Sequence, residues 1–302
     1  MRLKHISKIG LLIILVFSVG ISWAGASENP VKISYVQWST EIASSYLVKA
    51  IIQEKLDREC VLKSMQTEQM WESVAQGKSD GTVSAWLPHT QGHYYRNYKH
   101  QVVNLGANLN GTRTGLVIPD ITKGRVTAGT GIRNQPYMNI DSIPELKQHA
   151  DKLDKRIVGI DPGAGIMNTT RKAMKEYGLQ DFRLIPGSEV SMVAELSHAI
   201  RHQEWIVVTG WLPHWIFSRW ELKFLEDPRD VYSKKGHINT IVRRGLKEDK
   251  PEVYAFLDRF HWRPEEMGQL MLWIQEDDGK YPYEKALRWI RTHPDRVKDW
   301  LQ

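Results

Sequence analysis

"SAWLPHT" spans Ser84–Thr90 and "TGWLPHW" spans Thr209–Trp215, so Trp-Leu-Pro-His is written twice at an offset of 125 residues. A tetrapeptide alone can recur by chance or mark two turns with a buried aromatic, and the flanks decide. "VKISYV" (Val31–Val36) alternates apolar and polar residues at the period of a strand, and Glu41–Leu56 carries apolar residues at helical spacing. "CVLKSM" then reads as a second strand, Glu68–Gln76 as a second helix, and "DGTVSAW" as a third strand ending at Trp86. This β-α-β-α-β order builds a parallel sheet.

The same order returns at the same offset. "RIVGID" (Arg156–Asp161) matches the first strand, Gly165–Leu179 the first helix, "FRLIPG" the second strand, Val190–Arg201 the second helix and "IVVTGW" the third strand. Two similar α/β lobes follow, each with Trp-Leu-Pro-His just beyond the C-terminal end of a strand. That edge of an open α/β sheet faces the ligand crevice. Pro88 and Pro213 stop their strands there, since proline has no N–H for the ladder. The extended runs "TRTGLVIP" (Thr112–Pro119) and "HINTIVRRG" (His237–Gly245) are the candidate crossovers. The expected layout is therefore lobe I from residues 27–119 and 237–302, with lobe II (120–236) inserted. Helical spacing recurs in Glu252–Phe260, Glu265–Glu276 and Tyr283–His293, with Pro294 opening a last short turn.

Met1–Lys8 holds Arg2, Lys4 and Lys8 with no acid, then comes the apolar run Ile9–Val19 and then Ala24-Gly25-Ala26. That is the order of a secretory signal peptide, expected to be cleaved after Ala26. No Cys follows the small residues, so no lipid anchor is expected and the product is a soluble periplasmic protein. Removing 26 of 302 residues leaves 276, and the formal charge falls from +6 to +3 with the loss of three cations. The remaining Lys and Arg are interspersed with acids, which does not suggest nucleic-acid binding. Cys60 is the single cysteine, so neither an internal disulfide nor a cysteine metal cluster can form. No metal or cofactor is expected, and the protein is expected to act as a monomer. The unusual count is tryptophan, at 12.

Two devices point to a ligand. The loop "GIDPGAGIMNTT" (Gly159–Thr170) joins a strand to a helix but lacks the endings of a phosphate loop or a dinucleotide fingerprint. What remains is a small nest of amides at a helix start, suited to a carboxylate, or simply a tight turn. Trp38, Trp86 and Trp211 all fall at strand ends on the same edge. One such residue is ordinary core; three at equivalent ends suit an aromatic cage, whose ring faces attract an organic cation by about 0.5–2 kcal/mol each. A quaternary ammonium at one end and a carboxylate at the other, held by the amides of Gly165 and Ile166, describes glycine betaine.

On "AWLP", "GIDPGAGIM", "VVTGWLPHW" and "LKFLEDP", the chain resembles the glycine-betaine and related osmoprotectant substrate-binding proteins of ABC importers. The resemblance implies a two-lobed type II periplasmic-binding fold with the ligand in the cleft, and no catalysis. It implies partners in the membrane, an ABC permease and its ATPase. It also matches Trp38, Trp86 and Trp211 to the cage, and Gly165 with Ile166 to the carboxylate-binding amides. Family members often carry Gly-Thr-His after AWLP, the His contacting the carboxylate; here Gln91 stands at that place and His89 two residues earlier. Either Gln91 or His89 is thus a candidate carboxylate contact, and carnitine, choline, proline betaine and dimethylsulfoniopropionate join glycine betaine as candidate ligands.

Two other functions fit some of the residues. A secreted carbohydrate-binding protein or glycosidase would also stack its ligand on tryptophan, and a glycosidase would add paired carboxylates. Asp161 is the one acid beside the loops, where it is expected to cap its turn. A betaine-binding sensor is the other alternative. Trp71, Trp205, Trp262, Trp273, Trp289 and Trp300 read as packing residues; His214 and Trp215 are equally suited to packing or to the cleft; and His93, Tyr94 and Tyr95 read as a helix start beside it. His237, at a crossover, has no partner at metal-ligand spacing.

Overall fold

The computed structural model describes residues 29–120, 138–232 and 235–302; the leader expected at 1–26 lies outside them. The first unit runs β1 (Val31–Tyr35), α1 (Ser39–Lys55), β2 (Cys60–Ser64), α2 (Thr67–Ala75) and β3 (Gly81–Leu87). After α3 (Gly92–Tyr98) and the long strand β4 (Val102–Pro119), the second runs β5 (Arg156–Val158), α4 (Gly165–Glu176), β6 (Arg183–Ile185), α5 (Glu189–His202) and β7 (Val208–Leu212). Both keep the expected order. β5 is shorter than the sequence suggests, stopping at Val158, because the chain turns on Pro162, which has no N–H, and the Ala164 amide closes on the Asp161 carbonyl at 2.9 Å.

The chain returns through α6 (Ile216–Arg219), β8 (Leu222–Phe224) and β9 (Gly236–Arg243), and ends in α7 (Leu246–Asp249), α8 (Pro251–Arg259), α9 (Pro264–Gln275), α10 (Pro282–Thr292) and α11 (Pro294–Leu301). Where a short turn was expected, α11 is a helix. Pro294 occupies its first position, where the fixed φ favours the helix and the missing N–H costs nothing.

Strand order is β2-β1-β3-β9-β4-β7-β5-β6, with β8 on β4. β1 is parallel to β2 and β3, and β5 is parallel to β6 and β7, so the two units carry the same strand order. β4 belongs to both sheets: it pairs antiparallel with β9 from Val102 to Thr112, then with β7 from Arg113 and with β8 from Val117. Three register shifts interrupt its pairing with β9, and Gly106 (φ +102°) and Gly111 (φ +85°) supply left-handed backbone within that half of the strand. Bulges of this kind bend and twist a strand, allowing one chain segment to serve two sheets. The change of partner falls inside the expected crossover Thr112–Pro119. β3 and β7 each end at the leucine of Trp-Leu-Pro-His, and both following Leu–Pro bonds are cis.

The C-terminal helices close the first sheet. Trp289 and Trp300 stack at 5.6 Å, and Trp262 meets the Trp289 ring edge-on at 6.1 Å. These are core, as expected; Trp273 is only half-buried, lying under the Arg288 guanidinium at 4.0 Å. Trp71 is fully buried, and Trp205 is half-buried beneath Lys152.

Far from the Trp-Leu-Pro-His edge, the loop before β3 places Asp80 between three donors: Arg243 Nε and Lys250 Nζ at 2.8 Å each, and the Lys32 amide at 2.9 Å. Burial pushes the Asp80 carboxyl up, but the hydrogen bonds from Lys250, the Lys32 amide and Arg243 outweigh it and hold it below the usual range. Removing one partner of a buried ion cluster leaves uncompensated charge. Asp80→Ala should therefore lose about 3–5 kcal/mol in urea unfolding. In the wild type this contribution is complete above the ordinary carboxylate value of about 4 and fades as pH falls through the depressed one. A loss below about 1 kcal/mol, as for an exposed pair, would show the cluster to be incidental.

Candidate functional site

The repeated strand ends meet in a cavity between the two sheets. Trp38 precedes α1 as its N-cap residue, Trp86 lies in β3 opposite Ile238 of β9, and Trp211 lies in β7 opposite Thr114 of β4. Each is at least nine-tenths buried, and the rings of Trp38 and Trp211 sit 6.5 Å apart at 53°, so one wall is tilted against the other. Ala164, Gly165 and Ile166, at the start of α4, line the cavity with them, as do Ile160, Thr90, Gln91 and Thr114. About 320 Å³ of unfilled space lies among these residues, part of it open to solvent, and none of the lining side chains is charged. Gly165 and Ile166 are the first two residues of α4, so their amides have no acceptor within the helix and carry the positive end of its dipole.

The two halves also approach closely at Gly165. A methyl group built on it would sit 2.2 Å from the Thr90 carbonyl oxygen, which is backbone that cannot swing aside.

The indole N–H groups show how the rings are held. Trp38 Nε1 donates to Asp161 Oδ2 across the cleft at 2.9 Å, and Trp86 Nε1 donates to Glu41 Oε1 at 2.5 Å. Trp211 Nε1 is buried without an acceptor among the described residues. Its ring meets His214 edge-on at 4.6 Å. His214 Nδ1 accepts from the Ile216 amide at 3.2 Å, which leaves the proton on Nε2, 3.0 Å from Glu189 Oε1 but off the line of a hydrogen bond. Glu189, at the start of α5, accepts from the Ser39 amide at 2.8 Å and from the Ser39 hydroxyl, while Trp215 Nε1 donates to that hydroxyl at 3.0 Å. Burial pushes Glu189 up, yet the His214 ring and the Ser39 donors more than offset this and hold it below the usual range. Glu41 has no such compensation: burial pushes it up to about 7, despite hydrogen bonds from Thr40 and Trp86 that favour the ion.

Of the seven residues singled out from sequence, six come together: Trp38, Trp86, Trp211, Gly165, Ile166 and Gln91. His89 does not. It is exposed and lines a smaller neighbouring hollow with Gly236 and Thr112, because it sits at the tip of the turn while Gln91 lies past it at the base of α3. Asp161 corrects another expectation: only its backbone carbonyl closes the turn, and its side chain reaches Trp38 in the other unit. His214 and Trp215 are buried and do not line the cavity.

Trp71, expected only to pack, also orients Gln91 by donating to its Oε1 at 2.8 Å. Since the Trp71 donor occupies that oxygen, the Gln91 amide nitrogen is the atom left for the cavity. Glu41 and Glu189 were missed. A capping acid in a helix's first turn is common, and nothing in the local sequence distinguishes them. Pairing them with the indole-bearing strand ends would have required the contacts across the fold.

The architecture defines a class: a two-lobed type II periplasmic-binding-protein fold with its site at the strand ends between the lobes. Residues 29–292 match the model of the substrate binding domain of ABC-type glycine betaine transport systems, and the chain belongs to that family. It is a family of substrate-binding proteins, not of enzymes. The crystal structure of lactococcal OpuAC, closed and complexed with glycine betaine, superposes with a TM-score of 0.81 at 37% identity, covering 91% of this chain and 100% of that one. The glycine/betaine/L-proline-binding protein ProX of Borrelia burgdorferi gives a TM-score of 0.81 at 36% identity, covering 91% and 97%. The glycine betaine/carnitine transport binding protein GbuC of Listeria monocytogenes is 46% identical over 156 residues, which spans 51% of this chain and 51% of that relative.

Proposed function

We propose that this protein captures glycine betaine, or a closely related quaternary ammonium solute, outside the cytoplasmic membrane and delivers it to an ABC permease driven by its ATPase. The observation that carries this reading is the convergence of Trp38, Trp86 and Trp211 on one uncharged cavity that the first turn of α4 also lines. In this account the three rings hold the trimethylammonium group, and the amides of Gly165 and Ile166 hold the carboxylate with help from the Gln91 amide. Micromolar capture needs about 8 kcal/mol. Desolvated cation–π contacts of about 2 kcal/mol or more each, with charge-assisted hydrogen bonds, reach that scale. The protein acts as a monomer, is released from its leader after Ala26, and closes by hinge motion of the two lobes about β4 and the start of β9. Family membership, together with the absence of charged lining side chains, weighs against a sugar site with paired catalytic carboxylates.

Titration of intrinsic tryptophan fluorescence should give saturable binding of glycine betaine and none of maltose. Trp211→Ala should weaken betaine binding by about 30-fold or more, the loss of one desolvated cation–π contact. A response to maltose alone would move the assignment to carbohydrate. Closure has its own test in small-angle scattering: saturating betaine should reduce the radius of gyration of the wild type but not of Gly165→Ala, whose methyl group meets Thr90. Equal contraction in both proteins would remove Gly165 from the closing surface.

A further inference from the structure

We propose that Glu41 is a positioning and charge-tuning residue for the cage, binding the cation more tightly when its carboxyl is ionised, so that capture and proton release are coupled. This rests on the functional reading above and extends it to a residue that touches no ligand. The geometry is a closed relay. Glu41 lies in the first turn of α1, 1% exposed, with one carboxyl oxygen accepting from Trp86 Nε1 at 2.5 Å and the other from Thr40 Oγ1 at 2.5 Å. Among the described residues its side-chain hydrogen-bond partners are Thr40 and Trp86, with no Lys or Arg beside them. The carboxylate therefore has one direct route to the cavity: through the indole of Trp86, which lines it. An anion hydrogen-bonded to the N–H edge of an indole enriches the ring's negative face and adds its own field, and both effects favour a cation over that face.

The groups facing Glu41 determine what its titration does. Glu189 on α5 repels its ionised form, and His214 beyond β7 stands behind Glu189. Asp161, in the loop before α4, holds the neighbouring indole of Trp38. On the far side of Trp86, His89 shares a hollow with that ring, and His237 lies close enough to His89 for the two to interact electrically. Burial raises the Glu41 carboxyl to about 7, so it is protonated below that pH and ionised above it. A permanent cation in the cage favours the ion, which lowers this value on binding and expels a proton; by linkage, affinity rises with pH through neutrality.

The test is isothermal calorimetry of glycine betaine, whose own charges do not change across this range. Wild type should bind about fivefold more tightly near pH 8 than near pH 6, the part of a one-unit pKa shift on binding, tenfold at its limits, that falls within this range. Near pH 7 its binding enthalpy should differ between phosphate and Tris by the heat of buffering the released proton. Glu41→Gln, which fixes the neutral form, should bind at about the wild-type pH 6 strength throughout, with no buffer dependence. His89→Gln should keep the wild-type profile. Binding by the wild type that is independent of pH and buffer would overturn this proposal while leaving the functional reading intact, as would a profile retained by Glu41→Gln or lost in His89→Gln. No saturable binding at either pH would overturn the functional reading and this proposal together. If Glu41→Gln does not fold, wild-type proton release and the His89→Gln profile still decide.

Discussion

A buried indole has two demands that conflict in an ordinary core: its faces want apolar or cationic neighbours and its N–H wants an acceptor. In this protein the conflict is resolved by direction. The rings of Trp38, Trp86 and Trp211 line one cavity. The N–H groups of two of them donate to the carboxyl groups of Asp161 and Glu41, neither of which lines the cavity. Ring orientation is thereby fixed by hydrogen bonds, and the side chains lining the cavity stay free of charge.

That arrangement depends on the repeat. Strand ends at Leu87 and Leu212 place Trp86 and Trp211 one residue inside the edge of each sheet, and β4, pairing first with β9 and then with β7, sets the two edges opposite each other. The cleft-spanning bonds Trp38 to Asp161 and Ser39 to Glu189 then tie α1 of one unit to the loop and helix of the other. Gly165 permits this approach, because a side chain there would meet the Thr90 carbonyl. The same few residues are thus the cavity wall and the contact between the lobes, which is what a binding protein that encloses its ligand requires.

Much of this was legible in the sequence because it is local or periodic. Alternation located β1, helical spacing located α1, and the offset of 125 residues exposed the duplicated unit, α5 included, without any knowledge of contacts. The three tryptophans that line the cavity stood out by their place at strand ends. What the sequence did not reveal is whatever depends on contacts across the fold. Asp161 reads as a turn cap until the other unit brings Trp38 to it. Glu41 and Glu189 read as ordinary first-turn acids, since a helix start rewards an acid whether or not an indole or imidazole lies beyond it. His89 and Gln91 are two residues apart, and only the turn geometry separates the exposed one from the one that Trp71 holds at the cavity.

The central claim is that the site selects positive charge by aromatic faces and not merely a bulky trimethyl shape. The most direct measurement is a calorimetric comparison of glycine betaine with 3,3-dimethylbutanoate, which keeps the shape and the carboxylate but replaces the ammonium nitrogen by carbon. Loss of even two desolvated cation–π contacts at about 2 kcal/mol each predicts a preference of several hundredfold or more for glycine betaine. Equal dissociation constants would contradict the account, because the cavity would then recognise volume and carboxylate alone.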